Sequence, residues 1–254
     1  MSIVSRNLSV HKEHEVLLKL EAAGLGDVEA QSLIESKDNG LAKKVVSYIR
    51  RGGRENPAAF ERAMEIMGKN FLSPWDVVEH FGVEYGDEIS KLLQIPFSEN
   101  VLEECKDTHI LFAGYPLTIL DIRSKVSPEL FPVADNRWYA RLAFAKADKV
   151  KTRWYLMRKD IVPNSTDKTH AEQTMMLAKN EEVPRACEVV FMTILAYLVM
   201  DECLFEGVYA RCKDITKNGG RACVLGYPNG GIGLEGFSSA YFMVGSAASR
   251  NILC

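Results

Sequence analysis

What this 254-residue chain lacks narrows its possibilities first. It has no run of the roughly 18 apolar residues that a membrane-spanning helix requires. Its longest apolar stretch, Val189 to Met200, covers 12 residues and reads as a buried helix. No apolar signal core precedes the charged pair Lys12 and Glu13, so the expectation is a cytoplasmic protein with no membrane partner. Cys105, Cys187, Cys203, Cys212, Cys223 and Cys254 include no C-x-x-C pair, the spacing of a zinc site or a redox dithiol. They are expected as free thiols, several packed as small apolar residues, with no metal and no cofactor. The sequence contains no internal repeat and no low-complexity tract.

A basic excess is also missing. The net charge is −3, and it is unevenly spread: residues 1–105 carry 12 Lys and Arg against 18 Asp and Glu, residues 106–254 carry 19 against 16. Binding to a phosphate backbone depends on releasing counterions with Lys and Arg, so no nucleic-acid partner is expected. Residues 73–93 could fold as a helix-turn-helix with its turn at Gly82. The second helix would then present Asp87 and Glu88 against one Lys91, where a recognition helix brings cationic or amide groups. Plain helix packing is the simpler reading.

Hydrophobic residues make up 47% and charged residues 26%, enough to bury a core without crosslinks or metals. Up to residue 105 the apolar residues recur at helical spacing, as in Leu41, Val45, Val46 and Ile49, or Phe60, Ala63, Met64 and Met67. Ser73-Pro74 is a helix start: a hydroxyl that can cap, then a residue whose missing N–H costs nothing there. From Thr108 the pattern changes to short apolar runs. Thr108 to Gly114 and Arg153 to Arg158 read as strands, Leu117 to Ile122 as a strand or a helical turn. Thr169 caps a helix, and Pro184 opens the most apolar helix of the chain. Gly207–Cys212, Arg221–Gly226 and Tyr241–Val244 follow as short strand candidates. The fold class is α+β: a helical N-terminal region over 1–105, then an α+β C-terminal domain over 106–254 with a small sheet.

The candidate chemistry is sparse. Gly231-Ile-Gly233-Leu-Glu-Gly236 spells G-x-G-x-x-G, but only 18 residues follow it, too few for the strand-helix-strand unit that dinucleotide binding needs. Cys105 and His109 lie four apart across a change from helix to strand, and that spacing fixes no geometry. His80, His109, His170 and scattered carboxylates could meet a metal only by chance of folding, because no ligand spacing is present. The pairs Trp138-Tyr139 and Trp154-Tyr155, read as strands, would each turn one ring inward and one outward.

Several motifs resemble those of a family of uncharacterised bacterial proteins of about this length: Lys106-Asp-Thr-His-Ile-Leu111, Leu120-Asp-Ile-Arg123, Val162-Pro-Asn-Ser-Thr166, Glu181-Glu-Val-Pro-Arg-Ala186, Leu204-Phe-Glu206 and Gly245-Ser-Ala-Ala-Ser-Arg250. That resemblance spans roughly residues 60–250 and implies an order of motifs, with no catalytic residue. The back half is also similar to C-type-lectin-like domains of the formylglycine-generating-enzyme type: a Trp-led strand at Trp154, the Val162–Thr166 turn, a helix after Pro184, then short strands and glycine-rich loops. This likeness implies a small sheet beneath irregular loops that carry a ligand surface. The signature around the second helix of those domains is absent, as is a cysteine pair matching their catalytic one.

Two functions follow as expectations. The first is a ligand- or partner-binding protein without catalytic activity. Its surface would lie on the glycine-rich stretch after Lys213, which holds seven glycines up to Gly236 and suits loops. Lys213, Lys217, Asn218, Arg221 and Asn229 are its candidate ligand residues, with Trp154 supplying a ring. The alternative is an enzyme with a site between the two halves, using His109, His170 or Cys187.

Overall fold

The structure, a computed structural model, describes residues 9–50, 58–131 and 138–251. The chain divides into two compact units, Met1–Glu55 and Asn56–Cys254.

Among its described residues the first unit contains three α-helices, α1 (Val10–Ala22), α2 (Asp27–Glu35) and α3 (Gly40–Arg50). Ser9 caps α1 by accepting the Lys12 N–H at 3.3 Å, and Glu29 reaches back to the Gly26 N–H at 3.0 Å at the start of α2. Neither α1 nor α2 buries a residue. Val16, Leu17, Leu18, Val28 and Ile34 stand exposed.

The second unit holds all the described strands. Its first part comprises α4 (Ala58–Met67), β1 (Phe71–Leu72), α5 (Pro74–Phe81), α6 (Glu99–Cys105), β2 (His109–Ala113), α7 (Ile119–Lys125), α8 (Ala143–Lys146) and β3 (Trp154–Arg158). Then come α9 (His170–Met175), β4 (Glu181–Glu182), α10 (Ala186–Met200), β5 (Tyr209–Ile215), β6 (Arg221–Gly226), β7 (Ile232–Phe237), β8 (Val244–Ser246) and β9 (Ser249–Arg250). The class is α+β, and only β1 among the described strands precedes residue 105.

Two sheets form. Sheet A has the order β1-β2-β3-β9-β4, and sheet B the order β7-β6-β5-β8. Sheet A is covered on both faces. On one side Phe60 of α4 meets Phe71 and Trp154 edge-on, at 5.1 and 5.6 Å. On the other, Phe112 stacks on Tyr155 at 5.0 Å and approaches Phe191 of α10 at 5.9 Å. A domain boundary at residue 105 is therefore corrected: Phe60, Phe71, Leu72 and Phe81 share one core with Trp154 and Phe191. The change from helical to strand patterning marks a change of element, not of domain.

Helix α10 explains its own composition. Ala186 to Ala196 are buried without interruption, because α5, α7, α8, β1, β5, β6 and β7 all pack against α10. A helix apolar all round is one buried all round. The ambiguous stretch after Leu117 resolves as α7. Thr118 Oγ1 accepts the Asp121 N–H at 3.0 Å, and Asp121 returns a bond to the Thr118 N–H at 2.9 Å. The same box starts α5, with Ser73 and Asp76, and Gly82 ends it in the left-handed region.

The glycine-rich stretch is not a loop surface. It is a three-stranded meander with two tight turns, closed by Thr216 N–H to Gly220 C=O and Tyr227 N–H to Gly231 C=O, both 2.8 Å. Gly226 stands inside β6, where a Cβ would run into the Leu204 carbonyl oxygen. Glycine here serves close packing rather than mobility.

Candidate ligand site

The strand registers give sheet B two different faces. Val224 opposes Leu234 and Ala210, and with Cys212, Ala222 and Ile232 these residues are buried on the side where α10 packs. Cys223 opposes Glu235 and Arg211, on the face away from α10. That outer face carries a row of rings: Tyr209 to Phe237 at 5.0 Å, Phe237 to Tyr241 at 5.2 Å and Tyr241 to Phe242 at 4.8 Å.

Beneath this row lies a buried polar network. Arg211 is 1% exposed. Its guanidinium donates to the Lys168 carbonyl at 3.0 Å, Gln173 Oε1 at 2.8 Å and the Ser239 carbonyl at 2.7 Å. The Gln173 amide in turn donates to the carbonyls of Ser165 and Val244, at 2.8 and 2.9 Å. No ion pair to Arg211 forms among the described residues. Three acceptors disperse its charge, and together they tie α9 and the Tyr241 loop to the sheet.

Strand β7 is an edge of sheet B, and a pocket of about 170 Å³ lies along it. Among the described residues it is lined by four aromatic residues, Phe131, Trp138, Tyr139 and Tyr227, and by Ile232 to Glu235. Trp138 opens a 3₁₀ turn, Trp138–Arg141, and donates its indole N–H to the Leu234 carbonyl at 3.0 Å, across 96 residues of chain. Tyr139 stands at 88° to it, with ring centres 6.0 Å apart. The Tyr227 ring lies over Gly233, where a Cβ would come within 2.9 Å of its hydroxyl. The absent side chain makes room for the ring. Glu235 is exposed and, among the described residues, the one charged residue of the lining.

The residues singled out from sequence scatter. Trp154 is 2% exposed and bonds Leu92 C=O through its indole N–H at 3.0 Å; it is core, because α4 covers the ring that an outward-facing strand residue would show. Lys213 and Arg221 are joined across the hairpin by the Arg221 guanidinium and the Lys213 carbonyl. Lys217 and Asn218 are exposed at that turn. Asn229 sits at the other turn and accepts the Gly231 N–H at 3.3 Å. The two turns lie at opposite ends of β6, so its length of roughly 17–20 Å separates them. These five residues do not form one site.

The alternative catalytic residues are dispersed as well. Among the described residues no hydrogen bond links any two of His109, His170 and Cys187. His109 is buried on β2, its Nδ1 2.8 Å from Thr108 Oγ1 and its Nε2 3.9 Å from Glu181 Oε1, too far for a direct bond. Burial lowers its pKa, Glu181 opposes that, and Arg158 and Arg250 lower it further. Burial alone would raise the Glu181 carboxyl, but His109 nearby, the Ala178 N–H and Arg158 outweigh it and bring it to about 2. Arg158 donates to Glu181 Oε1 at 2.9 Å. This cluster joins four strands of sheet A. Cys187 is buried at the start of α10, and burial with nearby Glu188 and Asp214 pushes its thiol to about 12, which disfavours the nucleophilic thiolate. His170 is lowered by burial and by Arg221 and Arg211.

The sequence offered Trp138-Tyr139 as an aromatic pair but no signal that joined it to Tyr227 and Glu235. Among the described residues no group of three His, Cys, Asp or Glu could hold a metal, and no helix is long and apolar enough to cross a membrane. The five described cysteines are unpaired; Cys254 lies outside the described residues. The chain matches no protein-family model, no curated protein and no solved structure.

Proposed function

We propose that this chain is a binding protein that takes a small group of a ligand or partner into the aromatic pocket on β7, without catalysing a reaction on it. The observation that carries this reading is the convergence of four rings on one strand edge. Small-molecule sites are concave and largely apolar, with few polar groups that fix orientation. The volume is below the roughly 300 Å³ at which sites for drug-sized ligands begin. It therefore suits one side chain or headgroup rather than a whole nucleotide.

The row from Tyr209 to Phe242 supports the same reading. Tyr241 and Phe242 are 39% and 66% exposed, and exposed contiguous apolar surface commonly marks a place of contact. Such a row would hold the remainder of a ligand whose end group enters the pocket. The unpaired thiols agree with a cytoplasmic setting, where cysteines stay reduced.

The test is a ligand-observed NMR screen of small fragments against the whole chain, repeated with Tyr227→Ala and Trp138→Phe. Fragments that bind the parent chain should lose most of their signal on both variants. If every hit binds the two folded variants as well as the parent, the pocket is not the site.

A further inference from the structure

We infer that the group held in this pocket is an alkylated ammonium cation. The inference rests on the pocket being the binding site and names the ligand chemistry that its walls select. Aromatic faces carry negative charge density, and a cation set against them is attracted, most strongly by tryptophan. Phe131, Trp138, Tyr139 and Tyr227 supply four such rings around one space.

The charge of the lining points the same way. Glu235 is its one charged member among the described residues and makes no ion pair among them, while Arg123, outside the lining, already lies over the Phe131 ring at 5.9 Å. A carboxylate with aromatic faces repels an anion and complements a cation. A neutral apolar group would gain the rings but nothing from Glu235.

Alkylation suits the aromatic residues that make up half of the lining. A primary ammonium presents three donors, each needing an acceptor when it leaves water, and ring faces accept N–H donors only weakly. Methyl groups in place of N–H remove that demand and lower the cost of desolvation, while the positive charge stays.

The test compares choline with its neutral isostere, 3,3-dimethylbutan-1-ol, by titration into the whole chain at constant ionic strength. The readout is the indole N–H resonance of Trp138, one of three tryptophans, assigned by its loss in Trp138→Phe. Choline should shift that resonance and bind about tenfold more tightly than the isostere. Glu235→Gln, at an exposed position, should weaken choline about threefold or more and leave the isostere unmoved. Tyr227→Ala should weaken both.

Equal or tighter binding of the isostere would overturn the cation and leave the pocket itself standing. Failure of choline to bind, while fragments still bind in a Tyr227-dependent way, would also overturn the cation alone. If neither choline nor any fragment depends on Tyr227 and Trp138, the binding site and the inference fall together.

Discussion

The two sheets of the second unit are built from similar apolar strands but are covered differently. Sheet A has helices against both faces, and every residue of β2 is buried. Sheet B is backed by α10 on one face, while its other face ends in the exposed rings of Tyr241 and Phe242. Helix α10 is the wall they share. A strand covered by helices on both sides can only be core, whereas the outer face of sheet B, closed over Arg211 and Cys223 but open beyond them, has a surface left to present. The charged groups follow this division. In sheet A, Glu181 meets Arg158, Arg250 and His109 in a cluster nearly closed to water. In sheet B, Glu235 stands at the rim of an aromatic pocket.

The strongest way to break this comparison is to damage the shared wall. Phe191 lies 5.0 Å from Phe81 and 5.9 Å from Phe112, and it is fully buried. Phe191→Ala should cost about 3–5 kcal/mol, measured by urea unfolding of the full chain. A loss below about 1 kcal/mol would mean that α10 is not a wall at all.

Next in size is the charged cluster of sheet A. The folded pKa of Glu181, about 2, lies below its ordinary 4.5. Its ionised form therefore stabilises the fold above pH 4.5, and that contribution fades as pH falls from about 4.5 to about 2. Glu181→Gln should cost about 2–3 kcal/mol at neutral pH, after discounting for screening through the partly exposed arginines. The cost should shrink towards zero through that same acid window. His109, lowered below its ordinary 6.5 by burial, adds instability of the same sign as pH drops, in parent and variant alike. A pH-independent cost for Glu181→Gln would count against the cluster as an ionic one.

A smaller effect is expected from Gly226→Ala, where the new methyl group meets the Leu204 carbonyl. Overpacking of this kind costs about 1–3 kcal/mol. Hydrogen exchange should show β6 and β7 losing protection while β2 and β3 keep theirs. Equal loss in both sheets would erase the distinction between them.

The smallest effect on stability belongs to the outer face. Glu235→Gln should move unfolding by no more than about 0.5 kcal/mol, since Glu235 is exposed. A larger shift in thermal unfolding would make that carboxylate part of the scaffold rather than of the pocket.

Much of the secondary structure could be read directly. Ser73-Pro74 and Thr169 announce helices through hydroxyls that cap them, and these contacts reach only three residues along the chain. The buried helix at Val189 to Met200 was legible because nothing polar interrupts the run after Glu188 except Thr193, which satisfies itself by donating to the Val189 carbonyl. Thr118 and Asp121 held the same three-residue signal for α7, and the apolar neighbours Leu117 to Ile122 obscured it. The glycines misled for a physical reason. Glycine is required both by mobile loops and by strands packed without a Cβ, and composition does not separate the two.

The sequence by itself determined what depends on neighbours in the chain: the caps, the all-apolar helix, the change to short strands at Thr108, and the lack of a spanning segment. Tertiary structure alone decided which face of each strand is covered. Trp154 became core because α4 lies on it, and Trp138 became a pocket wall because Leu234, 96 residues away, accepts its indole N–H. Those outcomes depend on which elements meet in space, and a ring carries the same local pattern whether a helix or a ligand comes to rest against it.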